Sequence, residues 1–259
     1  MSDPRERDER DDHEPDVWDE ILERDRLNEG AVLLCYADAL RKLGLTDPTQ
    51  QKLGRGAFGH AYRLGPEATP TGVVKITRDV FDAVASMSIQ GKHFTHLPRT
   101  RGVWALSETF FKGWSGWYAI EREYLYPVSD LDRSLLEVLF QIYDNDRITD
   151  LRIPKRHNRA MRDKWRVYAR DLLAQDGAPG VSHLPRAMEL LAQIGEGVQE
   201  LASVGIDWSD MSPENIMRAP DGTLKIADVG FCELRFDVNN VIVPEMAASA
   251  VHLPRLAGK

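Results

Sequence analysis

Glycines, one lysine and several carboxylate and amide side chains are spaced along this chain in a way that suits phosphate chemistry. The first group is Gly54-Arg55-Gly56-Ala57-Phe58-Gly59, followed by Ala61. Glycine lets a backbone amide approach a phosphate closely, because it has no side chain to hold the ligand away. The run lies between two strand-like segments, which predicts a hairpin over nucleotide phosphates and argues against a dinucleotide-binding crossover. A plain glycine-rich turn is the alternative.

The second candidate is Lys75, which lies in the strand-like segment Gly-Val-Val-Lys-Ile-Thr, 16 residues after Gly59. Neighbouring side chains of a strand face opposite sides, so this lysine can point into a cleft and hold phosphate oxygens as a point charge. Taken alone, Lys75 is better explained as a solvated strand residue. Its interpretation therefore depends on the motifs that follow.

Two acidic motifs lie beyond a long helical segment. In Asp210-Met211-Ser212-Pro213-Glu214-Asn215 an aspartate and an asparagine are five residues apart, close enough to share one tight loop. There the aspartate can accept or orient a hydroxyl proton, and the asparagine carbonyl can ligate Mg²⁺. Asp228 follows 18 residues after Asp210, at the end of a short apolar strand, where its carboxylate can reach a phosphate-bound metal. Ordinary polar turns are the structural alternative for both motifs.

Composition and pattern divide the chain into four parts. Residues 1–15 are almost free of apolar residues and are predicted to be a disordered acidic tail, and residues 16–48 predict amphipathic helices divided at Gly30 and ended by Gly44. Residues 49–125 predict a mostly antiparallel sheet with one interrupting helix near residues 79–94. Residues 126–259 are mostly helical, with candidate helices at 131–144 and 186–203. We expect an α+β fold of two lobes with a cleft between them.

Charge and cysteine content narrow the function classes. The formal net charge is −8. Residues 1–25 hold twelve Asp/Glu and four Arg, so the acidity belongs to the tail and the remaining chain is near neutral. No apolar run approaches the roughly 20 residues that cross a bilayer, and the N-terminus lacks the apolar core of a secretory signal. Two cysteines cannot form a disulfide framework, which favours a reducing cytoplasm.

One stretch of the chain is strongly basic. Arg152–Arg170 contains eight Lys/Arg and one acidic residue. It is either a solvated helix face or a site for an anionic partner, such as nucleic acid, an acidic substrate or the protein's own tail. Trp165 and Tyr168 are its only aromatic residues, which is too few to argue for base stacking.

The order of the motifs, glycine hairpin, strand lysine, Asp-x-x-x-x-Asn and Asp-Val-Gly, resembles the protein-kinase-like superfamily over about residues 49–235. The resemblance implies a two-lobed fold, with a small antiparallel sheet lobe over residues 49–125. The second lobe, residues 126–259, would be a reduced, mostly helical one that contains a basic helical insertion at 141–185. ATP and Mg²⁺ are the implied cofactors, and protein Ser/Thr hydroxyls are the implied acceptors.

The resemblance also assigns roles to single residues. Three glycines would cover ATP, and Lys75 would contact its phosphates. The catalytic base would be Asp210, and the adenine-binding hinge would fall within Ile120–Leu125. The glycines that would cover ATP are Gly54, Gly56 and Gly59, and the Mg²⁺ ligands would be Asn215 and Asp228.

The chain departs from the family pattern at several positions. Trp208-Ser209 stand where the family usually has His-Arg before the catalytic aspartate, and Ser212 stands where a lysine is frequent. The resulting Asp-x-Ser pattern, with a short helical lobe, is also similar to RIO-type atypical kinases. No acidic residue lies between Asp82 and Glu108, so the helix glutamate that pairs with the strand lysine is missing, and Asp82 is the candidate substitute.

The chain is also short at its C-terminal end. Only 29 residues follow Gly230, and Val243-Pro244-Glu245 is only faintly similar to the family's Ala-Pro-Glu. The resemblance therefore leads us to expect that the peptide-binding half of the helical lobe is absent or rebuilt. The N-terminal helices and the 141–185 insertion are the candidates to cover what it leaves exposed.

Three functions fit these observations. The first is an atypical kinase that transfers phosphate from ATP to protein Ser/Thr. The second is a pseudokinase that binds nucleotide or partners, favoured by the missing helix glutamate and the short helical lobe. The third is a small-molecule phosphotransferase similar to aminoglycoside kinases, which usually carry histidines around the Asp210 position that this chain lacks.

Overall fold

The computed structural model describes residues 29–56, 58–106, 116–144, 159–230, 232–236, 241, 243–244 and 246. Residues 29–35 are helical, and helix α1 follows at Ala37–Leu43. The break between them is at Tyr36. Gly30, where a division is predicted, is helical together with Glu29 and the residues that follow it, and residues 1–28 lie outside the described part of the chain. A single exposed glycine costs a helix only about 1 kcal/mol, which its neighbours can offset. Gly44 ends α1 as predicted, with a left-handed φ of 104°.

A five-stranded antiparallel sheet follows, with strand order β1-β2-β3-β5-β4. The short helix α2, Pro48–Gln51, leads into it and is capped by Asp47. Helix α3, Val80–Ile89, interrupts the sheet between β3 and β4 and is capped by the Asp79 carboxylate. The strands are β1 Lys52–Gly56, β2 Gly59–Leu64, β3 Gly72–Thr77, β4 Thr100–Leu106 and β5 Trp117–Arg122.

The rest of the described chain is built on three long helices and short strands. The helices are α4 Asp130–Asp144, α5 Arg159–Leu173 and α6 Leu184–Ser203, whose apolar residues form one core around the fully buried Trp165. Strands β6 Tyr126–Pro127, β8 Ile216–Arg218 and β9 Leu224–Ile226 form a small sheet, and β7 Ile206–Trp208 pairs with β10 Cys232–Leu234. Single turns of 3₁₀ helix span Val181–His183 and Pro213–Asn215.

The α+β class is confirmed, as are the antiparallel sheet, its interrupting helix and the helices predicted at 131–144 and 186–203. Among the described residues, α5 lies within the predicted basic insertion at 141–185 and packs against both α4 and α6. In the part of the chain that the structure describes, no helix has both the length and the apolar character needed to cross a membrane.

The two faces of the five-stranded sheet have different partners. Tyr62, Val74 and Ile76 point to one face, where they form a buried cluster with Tyr36 and Leu40 of the N-terminal helices. The described part of residues 16–48 therefore packs on the sheet. Residues 16–28 lie outside the described part of the chain, so the expectation that the N-terminal helices cover an exposed part of the helical lobe stays a prediction. A sheet with one apolar face must bury that face, and these helices are the adjacent amphipathic elements. The opposite face, which carries Val73 and Lys75, is left for the site described below.

The described residues near the C-terminus also return to the sheet. The Ala105 amide donates to the Pro244 carbonyl at 2.8 Å, and the Met246 amide donates to the Ala105 carbonyl at 2.9 Å. Because β4 is an edge strand, this segment supplies partners for backbone groups that would otherwise lack them. Val243 packs against the buried cluster of Ala83, Val103 and Ile120, so the segment with the faint similarity to Ala-Pro-Glu meets the sheet and its helix.

Candidate functional site

A cavity of about 550 Å³ lies where the open face of the sheet meets β8 and the residues after β9. Asp210 does not line it but contacts Asn215, which does. The structure thus gathers at one place all seven residues that the sequence nominates. The six that line the cavity are Gly54, Gly56, Gly59, Lys75, Asn215 and Asp228.

The glycine run forms the β1–β2 hairpin over this cavity, with Gly56 opposite Gly59 in register. A side chain at Gly54 would meet nothing within 4 Å, and one at Gly56 would approach only the Gly59 carbonyl oxygen, at 3.9 Å. Neither residue is among those with positive φ. The fold therefore does not require glycine at these two positions, which is what a hairpin that must leave room for a ligand would show.

Gly59 is different. A Cβ at this position would lie 2.1 Å from the Ile76 carbonyl oxygen of β3. Glycine is required here by the close approach of two strands, whether or not a ligand is bound. Its position in the hairpin still brings it to the cavity wall.

Lys75 lies at the centre of the site, between two carboxylates. Its ammonium is 2.8 Å from Asp82 Oδ2 and 2.6 Å from Asp228 Oδ2. Burial lowers the pKa of Lys75, but the two carboxylates raise it by more, so the pKa lies above its ordinary value. The lysine is therefore charged, and the alternative of a solvated strand lysine is wrong because its side chain is only 18% exposed.

Asp82, the candidate partner of Lys75, contacts it in the structure. It lies in the first turn of α3, is fully buried and contacts both Lys75 and Arg122, whose Nη2 is 2.5 Å from Asp82 Oδ1. Burial raises the pKa of Asp82, but Arg122 and then Lys75 lower it more strongly, to about 2.

Arg122 is the residue that the sequence analysis missed. It ends β5 and lines the cavity, on the same sheet face as Lys75, because Lys75 is opposite Ile120 and Val73 is opposite Arg122. Two cations on one buried face require an acid between them. The alternation of side chains along β3 and β5 places Lys75 and Arg122 on one face, and this could have indicated from the sequence that an acidic residue lies between them.

The loop that contains Asp210 is held by short hydrogen bonds. Asn215 Nδ2 donates to Asp210 Oδ2 at 2.7 Å and to the Asp210 carbonyl at 3.0 Å. The Asn215 carbonyl accepts from the Ala227 amide at 2.7 Å, and the Trp208 indole donates to the Asp228 carbonyl at 3.1 Å. Trp208, noted in the sequence only as a departure, thus ties the residues before Asp210 to those around Asp228.

The oxygen donors at this end of the cavity suit a hard divalent cation. Asp228 offers a carboxylate and Asn215 an amide oxygen, and Mg²⁺ is commonly held by one or two such ligands together with phosphate oxygens. Among the described residues, no group of three or more His, Cys, Asp or Glu side chains could hold a metal alone. A metal here would therefore need oxygens from a bound ligand. Asp228 would also have to exchange its contact with Lys75.

The predicted hinge, Ile120–Leu125, is only partly a connection. Ile120 to Arg122 belong to β5, and residues 123–125 lead to β6. Glu123 and Leu125 line the cavity, and the Glu123 amide donates to the Arg99 carbonyl at 3.0 Å. The connection that faces the cavity therefore begins at Glu123.

Part of the basic stretch Arg152–Arg170 is described. Residues 152–158 lie outside the described residues, as does the acidic tail of residues 1–15. In α5 four basic side chains are exposed, whereas Trp165 is fully buried in the helical core and serves packing. The exposed cations are Arg162, Lys164, Arg166 and Arg170.

Comparison with known proteins adds no relative: no protein-family model matches the chain, and no curated protein matches it.

Substitution of Gly56 and of Gly59 separates a glycine that leaves space for a ligand from a glycine that the packing of two strands requires. We expect Gly56→Ala to leave the free energy of unfolding within about 0.5 kcal/mol of wild type and to weaken nucleotide binding. Gly59→Ala should lower the free energy of unfolding by about 1–3 kcal/mol, because its Cβ meets β3 backbone. Urea denaturation of both variants measures this. Equal destabilisation by the two substitutions would contradict the assignment.

The buried carboxylate gives a second prediction. Asp82→Asn should lower the free energy of unfolding by about 3 kcal/mol at pH 7, because Lys75 and Arg122 lose a buried counter-charge. The folded pKa of Asp82 is depressed, so its stabilisation is present above the unfolded pKa and is lost as the pH falls towards 2. The difference between wild type and variant should therefore shrink between about pH 4 and pH 2.

Asp38→Asn is the matched control, because Asp38 forms a solvent-exposed ion pair with Arg41 at 2.7 Å. Surface pairs contribute little, so this variant should unfold like wild type. Denaturant midpoints measured from pH 2 to pH 7 decide the matter. A difference between Asp82→Asn and wild type that stays constant over that range would show that the Asp82 charge is not the cause.

Proposed function

We propose that this protein is an atypical kinase that transfers the γ-phosphate of Mg·ATP to protein Ser/Thr hydroxyls. The observation that carries the proposal is the position of Lys75, between Asp82 and Asp228. It lies under a hairpin in which the fold does not itself require glycine at Gly54 and Gly56. The proposal includes a kinase-like two-lobed arrangement. Residues 49–125 would be the sheet lobe, and residues 126–259 would be a reduced helical lobe.

The cavity has separate regions for the base and the phosphates of a nucleotide. Ala61 and Val73 of the sheet and Met217 of β8 contribute apolar wall, which suits the flat faces of an adenine ring. The connection from Glu123 to Leu125 borders this region. The phosphates would lie under the hairpin at Gly54 and Gly56, within reach of the Lys75 ammonium.

The residues around Asp210 would direct the transfer. Asp228 and Asn215 would hold Mg²⁺, which supplies neutralisation of the charge on the phosphates. Asp210, fixed by the Asn215 side chain, would orient the acceptor hydroxyl and take its proton. Most of the rate enhancement in such a site comes from positioning and charge neutralisation, so few groups are needed.

A pseudokinase is the second candidate, and one observation favours it. Asp228 Oδ2 is engaged by Lys75 at 2.6 Å, so the carboxylate that would hold the metal is already paired. A protein that binds nucleotide without metal would keep this pair. The magnesium dependence of binding separates the two functions.

The first prediction of this proposal concerns binding. Mg·ATP should bind with a heat measurable by titration calorimetry and should raise the melting temperature, because the ligand binds only the folded state. Lys75→Ala should weaken binding, since it removes the cation nearest the phosphates. Asp228→Ala should abolish the effect of Mg²⁺ on ATP affinity. Absence of binding at millimolar Mg·ATP would overturn the kinase interpretation, and wild-type binding that is indifferent to Mg²⁺ would favour the pseudokinase.

The second prediction concerns transfer. With labelled ATP and a cell lysate, wild type should label proteins, and Asp210→Asn should reduce the rate by at least about 100-fold with little change in ATP affinity. Asp221→Asn, in the exposed turn between β8 and β9, is the matched control and should behave as wild type. Unchanged transfer by Asp210→Asn would place the base elsewhere. Label found only in small molecules would favour the small-molecule phosphotransferase.

A further inference from the structure

Arg122 has no part in the mechanism above, yet its side chain lines the same cavity and is only 7% exposed. A buried arginine is costly unless its charge and its N–H groups are matched. The neighbours of Arg122 therefore indicate what the residue does.

The guanidinium joins three elements of the site through two nitrogens. Nη2 donates to Asp82 Oδ1 at 2.5 Å and to Ser86 Oγ at 2.6 Å, both on α3. Nη1 donates to the Ala227 carbonyl at 2.8 Å, directly before Asp228. The planar fork thus fixes the helix that carries the partner of Lys75 and the segment that carries the metal-binding carboxylate, both relative to β5. A lysine, as a point charge, cannot reproduce this geometry.

The charge balance of the cluster changes when ligand binds. Lys75 and Arg122 carry two positive charges, and Asp82 and Asp228 carry two negative ones. If Asp228 turns to a metal, Asp82 alone faces both cations, and one positive charge remains at the phosphate end of the cavity. Without Arg122, Lys75 and Asp82 would neutralise each other, and no positive charge would remain for the phosphates.

We propose that Arg122 is a positioning residue for the phosphates and metal of the bound nucleotide. It holds Asp82 and the Ala227–Asp228 segment in place, and it supplies the positive charge that Lys75, neutralised by Asp82, does not. This inference rests on the proposed function.

Dissociation constants for Mg·ATP, ATP without Mg²⁺ and adenosine test it, because only the first two ligands carry phosphates. Arg122→Met removes both the positive charge and the forked hydrogen-bonding geometry of the guanidinium. It should weaken Mg·ATP binding by about 10-fold or more, while the dissociation constant for adenosine stays within about twofold of wild type. Arg122→Lys keeps the charge and should recover most of the Mg·ATP affinity. In both variants the gain in ATP affinity caused by Mg²⁺ should be smaller than in wild type, because Asp228 is no longer held through Ala227.

Two further variants separate positioning from folding. Arg101→Met removes another arginine of the same sheet, which contacts Glu121 and the Thr71 carbonyl outside the cavity, and should bind all three ligands as wild type does. The double variant Asp82→Asn with Arg122→Met removes one charge of each sign. It should therefore bind Mg·ATP more tightly than Arg122→Met alone. The increase in ATP affinity caused by Mg²⁺ should still be smaller than in wild type. It also provides the test if Arg122→Met alone fails to fold.

Equal weakening of Mg·ATP and adenosine by Arg122→Met would reduce Arg122 to a structural residue and overturn the inference, as would unchanged binding of every ligand. In either case wild type would still bind Mg·ATP, so the proposed function would stand. Absence of wild-type binding would instead overturn the proposed function together with the inference.

Discussion

The arrangement of the site depends on one ammonium group held between two carboxylates. Lys75 comes from β3, Asp82 from α3 and Asp228 from the segment after β9, so a single ion cluster links the sheet, its helix and the helical part of the chain. A fully buried carboxylate such as Asp82 is tolerable only because two cations face it. Loss of Lys75 would take the cation from Asp228, and loss of Asp82 would take the counter-charge from Arg122, so the three elements are held in place together.

The two faces of the sheet differ: one packs against other elements of the fold, and the other borders the cavity. One face is apolar and is closed by the N-terminal helices and by Met246. The other carries Lys75 and Arg122 and borders the cavity. Period-two alternation along β3 and β5 is enough to send charged and apolar side chains to opposite sides. The buried face then keeps water from one side of the cluster, which strengthens the electrostatic interactions within it.

Sequence reasoning succeeded where the determinants are local. Asp210 and Asn215 are five positions apart, and that spacing predicted that they share one tight loop. The structure places them in such a loop and adds a hydrogen bond between their side chains. Strand and helix patterns likewise predicted the sheet, α3 and the helices near 131–144 and 186–203.

It failed where a role depends on the register of distant strands. Arg122 reaches Ala227 over 105 residues of sequence, and Gly59 is fixed by the carbonyl of a neighbouring strand. The position of Pro244 and Met246 on the edge of β4 could not be predicted either, because edge strands accept many partners. Asp82 lay between these cases: the missing glutamate pointed to it, but only its burial and its two cations show its place.

The most direct test of this account is a crystal structure with Mg²⁺ and a non-hydrolysable ATP analogue. The account predicts that the Asp228 carboxylate leaves Lys75 and faces the metal together with the Asn215 amide oxygen. Lys75 should remain within about 3 Å of Asp82 and turn its other protons to the phosphates, and Arg122 should keep its bonds to Asp82 and Ala227. A nucleotide bound elsewhere, or bound in this cavity with the Lys75–Asp228 pair intact and no metal at Asp228, would contradict it.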